Sequence, residues 1–163
     1  MRRSGMMMAG VALAASVGGP VLAAPERPVP YWASIAAGQA MMRSGPDRSY
    51  PGIWLYKRRD LPVRVVQVHG AWRRVQDMDG ATGWMLAILL SARRTAIISA
   101  SEGYRPIRAE ASDGARLLWQ AQAGVVGRIS KCDGSWCRIE IGEKAGWIEQ
   151  AHMWGTDPAE RVE

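Results

Sequence analysis

Apolar and polar residues alternate with a period of two along this chain, in short runs broken by turn residues. The clearest run is Trp136-Cys137-Arg138-Ile139-Glu140-Ile141, which puts Cys137, Ile139 and Ile141 on one face of a strand. Earlier, Val63 and Val65 share one face, whereas Val66 and Val68 share the other. That phase slip predicts a β-bulge, where a strand bends enough to serve two sheets. Turn signals separate the runs at Ser44-Gly45-Pro46-Asp47, His69-Gly70, Asp79-Gly80, Asp113-Gly114 and Asp133-Gly134. Short strands at such spacing indicate a small barrel or sandwich. The only helical segment expected is a short turn near Ala87 to Ser91. The pattern predicts an all-β chain.

The pattern is written twice. Met42-Arg43-Ser44 corresponds to Ile107-Arg108-Ala109 at an offset of 65, which Trp54 and Trp119 keep. Gly70-Ala71-Trp72 matches Gly134-Ser135-Trp136 at 64, and Gly83-Trp84 matches Gly146-Trp147 at 63. The register drifts by one residue at each of two loops, so the chain holds two copies of a unit of about 50 residues. An isolated domain of about 60 residues is marginally stable. Another strand is expected to begin at Arg93; the segment Arg93 to Gly103 is short for a linker and continues with the β-type residues Thr95, Ile97 and Ile98, so the copies are expected to touch.

Met42-Arg43-Ser44-Gly45-Pro46, Tyr50-Pro51, Gly70-Ala71-Trp72 and Gly83-Trp84 together resemble the bacterial SH3 (SH3b) pattern. The second copy departs from it: Ala109-Glu110-Ala111 stands where Ser-Gly-Pro belongs, and no Tyr-Pro follows. The resemblance implies two tandem small SH3-like barrels and a role in binding cell wall or protein peptides, without catalysis. It also implies a groove Trp at the start of one strand, a place taken by Trp72 and Trp136, and a groove-edge Tyr, a place taken by Tyr50.

The first residues read as a targeting segment. Arg2 and Arg3 form a positive region, Met6 to Val17 is apolar or small, and Val21-Leu22-Ala23 suits signal peptidase. Cleavage is expected after Ala23, because a cut one residue later would leave Pro25 at the new N-terminus. The apolar stretch is shorter than the roughly 20 residues that span a bilayer, so an uncleaved anchor is the lesser reading. The expected order is a signal peptide over 1–23, an extension over 24–38, barrels over 39–98 and 99–155, and a tail over 156–163. Removing Arg2 and Arg3 lowers the formal charge of +6 by two. Residues 39–91 hold eight Lys or Arg against four Asp or Glu, and residues 104–155 hold seven against six. For an exported protein, periplasmic or secreted, the fitting anions are wall polymers, lipid head groups and acidic proteins, and nucleic acid is not expected.

Bulk aromatic surface comes from eight Trp and four Tyr, with no Phe. Trp and Tyr carry a large apolar body and a polar tip, which suits both partly wet barrel walls and binding surfaces. Parity with Val75 and Ile139 places Trp72 and Trp136 on the outer face, beside Arg74 and Arg138. There they either meet a ligand, lie flat over the barrel edge or are buried between the two domains. Trp84 and Trp147 precede the inward Met85 and Ile148 and read first as packing, with Trp84 retained as a candidate contact. Trp54 and Trp119 read as core. The candidate ligand set is Tyr50, Trp72, Arg74, Trp84, Trp136 and Arg138: an aromatic beside an Arg can stack on rings or sugars and clasp a carboxylate. Lys57-Arg58-Arg59 is a solvated turn or an anion-steering patch.

Cys132 and Cys137 flank a four-residue hairpin tip, and export favours a structural disulfide. The alternative is a redox pair, but the spacing is not the two residues of thioredoxin-type motifs. With only His69 and His152 available, a metal site is not expected, and no cofactor motif is present. Paired catalytic carboxylates or a nucleophile with its base are not evident either. Two functions remain: a binding module for peptidoglycan or a wall-associated peptide or protein, and a structural or assembly protein of the envelope that buries its aromatic faces against a protein partner.

Overall fold

The period-two runs form antiparallel strands in a computed structural model that describes residues 27–99 and 103–163. In the first unit these are β1 (Tyr31–Ile35), β2 (Ala40–Arg43), β3 (Gly52–Tyr56), β4 (Pro62–His69), β5 (Trp72–Gln76), β6 (Thr82–Leu86) and β7 (Leu90–Ser91). Their spatial order is β3-β2-β6-β5-β4-β1-β7. The second unit has β8 (Thr95–Ile98), β9 (Tyr104–Arg108), β10 (Leu117–Gln122), β11 (Val126–Asp133), β12 (Trp136–Ile141), β13 (Lys144–Glu149) and β14 (Met153–Trp154). Its order, β10-β9-β13-β12-β11-β8-β14, repeats the first strand for strand. A short β15 (Arg161–Val162) then pairs with β11.

Each sheet encloses its own core, built from equivalent residues. Met42, Val65, Val75 and Met85 fill the first, and Ile107, Ile129, Ile139 and Ile148 fill the second. The bulge expected after Val65 is present, as a register shift between Val65 and Gln67 against β5. Its twin lies between Ile129 and Lys131. Beyond the first bulge the parity switches and Val68 packs on the core. The helical turn expected near Ala87 is a 3-10 turn over Ala87–Leu89. A second 3-10 turn, Gln150–His152, which was not expected, occupies the equivalent place at the offset of 63 set by Gly83-Trp84 and Gly146-Trp147.

Unit boundaries differ from the expected ones at three places. Residues 31–35, assigned to an extension, form β1 of the first sheet, and residues 95–98, assigned to the first barrel, form β8 of the second. The tail contributes β15. Alternation is missing in β1 and β8 because both are buried on both faces: Trp32 to Ile35 and Thr95 to Ile98 are all buried. One face of each looks to its own core and the other takes part in the junction between units. There the Ser34 hydroxyl donates to the Arg93 carbonyl at 2.5 Å and shares a hydrogen bond of 2.7 Å with the Thr95 hydroxyl. Trp32 and Trp154 meet edge to face at 4.7 Å. Arg64 covers Trp32 at 5.7 Å and pairs with Asp157 at 2.9 Å. The copies do touch, through buried polar and aromatic contacts.

The export signal read over residues 1–23, with its cleavage after Ala23, lies outside the described residues. Among the described residues no helix is long and apolar enough to cross a membrane.

Candidate ligand-binding face

Strands β2, β6 and β5 lie side by side, and one row of residues crosses all three. Arg43 stands opposite Trp84, Trp84 opposite Arg74, and Arg74 opposite Gln67 of β4. Directly opposed residues in antiparallel strands project from the same side of the sheet. This row is the outer side, since Met42, Met85 and Val75, its chain neighbours, are core. Arg74 is exposed, and among the described residues no carboxylate lies within ion-pair distance of it. Trp84 is half-buried, with His69 against it edge to face at 6.3 Å.

The loop between β2 and β3 sets the rim of this face. Arg43 Nη1 donates to the Tyr50 carbonyl at 2.7 Å, and the Ser44 N–H donates to the Pro51 carbonyl at 3.1 Å. The Ser49 N–H and hydroxyl hold the Asp47 carboxyl below its ordinary range. Tyr50 is 46% exposed and its ring lies on Gly45, where a Cβ would stand 2.5 Å from the ring atoms. Only glycine leaves room for that ring. The result is an indole between two guanidinium groups, with a phenol ring at one end. Such a face can stack on a sugar or ring while a guanidinium clasps a carboxylate.

The second unit repeats the row. Lys131 stands opposite Arg138, Arg138 opposite Trp147, and Trp147 opposite Arg108. Arg108 Nη1 donates to the Ala115 carbonyl at 2.9 Å and the Ala109 N–H to the Arg116 carbonyl at 3.0 Å, matching the two bonds of the first loop. Arg138 remains exposed and makes a surface pair with Glu140 at 3.3 Å.

The six candidate residues separate into two groups. Tyr50, Arg74, Trp84 and Arg138 are surface or half-buried members of these faces. Trp72 and Trp136, expected as open groove residues, are only 9% and 8% exposed. Parity assigned their face correctly, for Trp72 stands opposite Leu86 and Trp136 opposite Glu149, two residues along from the rows. Each, however, sits where the following 3-10 turn is pulled back. The Ala87 N–H donates to Ala71 at 2.8 Å, and the Gln150 N–H donates to Ser135 at 2.7 Å. These turns close the corner around the first residue of the strand, so neither indole offers a surface to a ligand.

Trp54 corrects a second expectation: it is 60% exposed rather than core. β3 is an edge strand with a neighbour on one side only, and of its residues only Tyr56 reaches the core. Trp119 is half-buried and packs against the second core, with Lys144 Nζ at 5.9 Å above its ring. Sequence reasoning left Arg43, Arg108 and Trp147 out of the candidate set. Their signal was the repeat itself, because Arg43/Arg108 and Trp84/Trp147 recur at fixed offsets although a core needs no arginine. Of the basic turn, Arg58 donates to the Gly124 carbonyl at 3.1 Å and Arg59 to Ala36 at 2.6 Å, so both serve the scaffold.

Cys132 and Cys137 stand opposite each other across the β11–β12 hairpin and form the expected disulfide, with S–S 1.98 Å. The main-chain N–H groups of Trp136 and Ser135 bind Asp133 at this tip and hold its carboxyl low.

Two sheets that share one order over seven strands, each bearing an Arg–Trp–Arg row on its outer side, define a tandem SH3-like protein. The profile of the bacterial SH3 domain matches residues 36–91 and again residues 101–155, and the chain belongs to that family. No curated protein matches the chain in sequence. Similar solved structures include NlpC2 from Trichomonas vaginalis, at 13% identity and TM-score 0.35, over 80% of this chain and 50% of that one. NlpC1 from the same organism is 15% identical with TM-score 0.34, over 82% of this chain and 48% of that one. This chain therefore spans about half the length of either protein.

Proposed function

We propose that this chain is a non-catalytic binding module of the bacterial envelope, periplasmic or secreted, that recognises peptidoglycan or a wall-associated peptide. The observation that carries this reading is the outward Arg43–Trp84–Arg74 row, with Arg74 exposed, Arg43 and Trp84 half-buried, and Tyr50 at its rim. Peptidoglycan offers what such a row takes: sugar faces for the indole and peptide carboxylates for the guanidiniums. Among the described residues Arg74 has no ion partner, so a ligand carboxylate meets it without displacing one of their contacts. The family supports a binding role. The N-terminal segment supports export.

The test is sedimentation of residues 24–163 with purified sacculi at low salt. The protein is expected in the pellet, and Arg74→Gln with Trp84→Leu is expected to weaken retention at least about tenfold, as for a central aromatic contact. Protein that stays in the supernatant rejects the wall-binding reading.

A second reading, an envelope assembly protein, has one specific observation in its favour. Ile53, Trp54 and Leu55 of edge strand β3 are 48%, 60% and 37% exposed. An apolar edge strand invites pairing with another chain. If Trp54→Ser abolishes association with an envelope protein and leaves sacculus binding intact, this second surface is the functional one.

A further inference from the structure

The second unit has lost the Ser-Gly-Pro and Tyr-Pro signature, yet its outer face has kept the row. Three cationic residues and an indole, Lys131, Arg138, Trp147 and Arg108, stand opposite one another in turn across four neighbouring strands, just beyond the bulge between Ile129 and Lys131. The loop that carried the lost motif is closed by the same two hydrogen bonds as its counterpart, Arg108 to Ala115 and Ala109 to Arg116. Arg108 is thereby fixed at the row's end as Arg43 is. Resting on the wall-binding reading above, we propose that this row is a second, separately competent site, which takes carboxylate groups of the same polymer.

The chemistry of the two rows differs in one direction. Where the first row ends in the neutral Gln67, the second ends in Lys131; where the first has the exposed ring of Tyr50, the second has Ala115. Ring-stacking surface is exchanged for positive charge, so the second row favours anionic groups over sugar faces. Glu140 beside Arg138 is a surface partner with 32% side-chain exposure. An exposed pair of this kind is worth little and yields to a bound carboxylate.

The junction between the units gives the duplication a consequence. Ser34 and Thr95 are buried at 0% and 3%, and the Trp32–Trp154 contact closes beside them. The two rows are therefore held at a fixed span, not joined by a loose tether. On a polymer that repeats its peptides, occupation of one row then presents the other at high effective concentration.

The test has two probes. Titration of residues 24–163 with soluble disaccharide-peptide fragments of peptidoglycan is expected to show two fragments per chain. Lys131→Gln with Arg138→Gln is expected to leave one, and so is Arg74→Gln with Trp84→Leu. On intact sacculi each double variant is expected to lose about 100-fold in apparent affinity. The Lys131/Arg138 change removes no core atom, and an unchanged melting temperature confirms that it folds. Fragments whose carboxylates are capped as carboxamides are expected to vacate the second row; retention of two per chain overturns the carboxylate assignment. A wild type that binds sacculi but takes one fragment, with the Lys131/Arg138 variant retained equally, overturns this inference alone. A wild type that binds neither probe overturns the wall-binding reading and this inference together.

Discussion

The two units solve one folding problem with different residues, and the differences come in matched pairs. In the first, the Tyr50 ring lies on Gly45; in the second, Ala115 and Glu110 occupy the same two places. A glycine is required only where a ring must lie on it, so the loss of the ring and the loss of the glycine are one event. The hairpin tips show the same pairing. Val68 stands opposite Arg73 in the first unit, with Arg73 Nη1 bound to the Gly70 and Trp72 carbonyls. At the equivalent positions Cys132 is bonded to Cys137. Deeper in, Tyr56 donates to Asp77 at 2.6 Å, where the second unit packs Ala121 and Ile141. Burial, then that hydrogen bond and the nearby charges of Asp77 and Asp79, push the Tyr56 hydroxyl well above its usual range. What stays constant is the strand order, the bulge, the close crossing at Gly83 and Gly146, and the outer row. Elements that only close a barrel have been exchanged, and the row, which no barrel needs, has been kept.

The largest effect should come from the shared crossing. A Cβ on Gly83 would stand 2.5 Å from Met42 Cγ and 2.9 Å from the Arg43 carbonyl oxygen, and one on Gly146 would meet Ile107 and the Arg108 carbonyl. Backbone cannot yield as a side-chain tip can. Gly83→Ala and Gly146→Ala should each cost on the order of 3 kcal/mol in urea unfolding; a neutral result in either unit would break the equivalence. Next comes the disulfide, confined to the second unit. Cys132→Ser with Cys137→Ser should cost about 2 kcal/mol from loop entropy, or roughly 10 °C in a unit of this size. The Gly45–Tyr50 pairing sharpens the comparison further. Gly45→Ala should destabilise by about 1–2 kcal/mol, and Tyr50→Ala should abolish most of that cost in a double-mutant cycle, whereas Glu110→Gly should show no such coupling to Ala115.

The smallest effect concerns the C-terminal tail, which only the second unit has. Burial raises the Glu160 carboxyl, but hydrogen bonds from Arg94 at 2.6 and 2.9 Å and from the Asp157 N–H at 2.9 Å outweigh it, and the group is held below its ordinary 4.5. A depressed carboxyl contributes stability above its unfolded value and loses it as pH falls through the folded one. The tail strand should therefore loosen below about pH 4.5, and Glu160→Gln should remove that part of the acid dependence of the melting temperature.

Much of this was legible before any coordinates. The duplication, the strands, the bulge after Val65 and the disulfide all follow from local pattern, which fixes which side of a strand a residue faces. Local pattern does not report what else lies over that side. Trp72 and Trp136 face outward as parity requires, and a 3-10 turn bonded to the preceding residue encloses each of them. Trp54 has core-like parity but belongs to an edge strand, a property of strand order across the whole unit. β1 escaped detection because burial on both faces erases alternation; the strand after Arg93 was legible from its β-type residues, but not which unit it joins, since that depends on pairing with β11 and β14. Trp32 and Trp154, the two tryptophans without a partner in the repeat, prove to be each other's partners across the junction. Their lack of a repeat position was itself the signal.

The side-chain N–H of each tryptophan reports its own surroundings, so the most direct measurement is a nuclear magnetic resonance titration of the eight indole signals with peptidoglycan fragments. Trp84 and Trp147 should shift, with Trp32, Trp72 and Trp136 still. Shifts confined to Trp54, or to the enclosed Trp72 and Trp136, would contradict the assignment of the cationic rows as the binding faces.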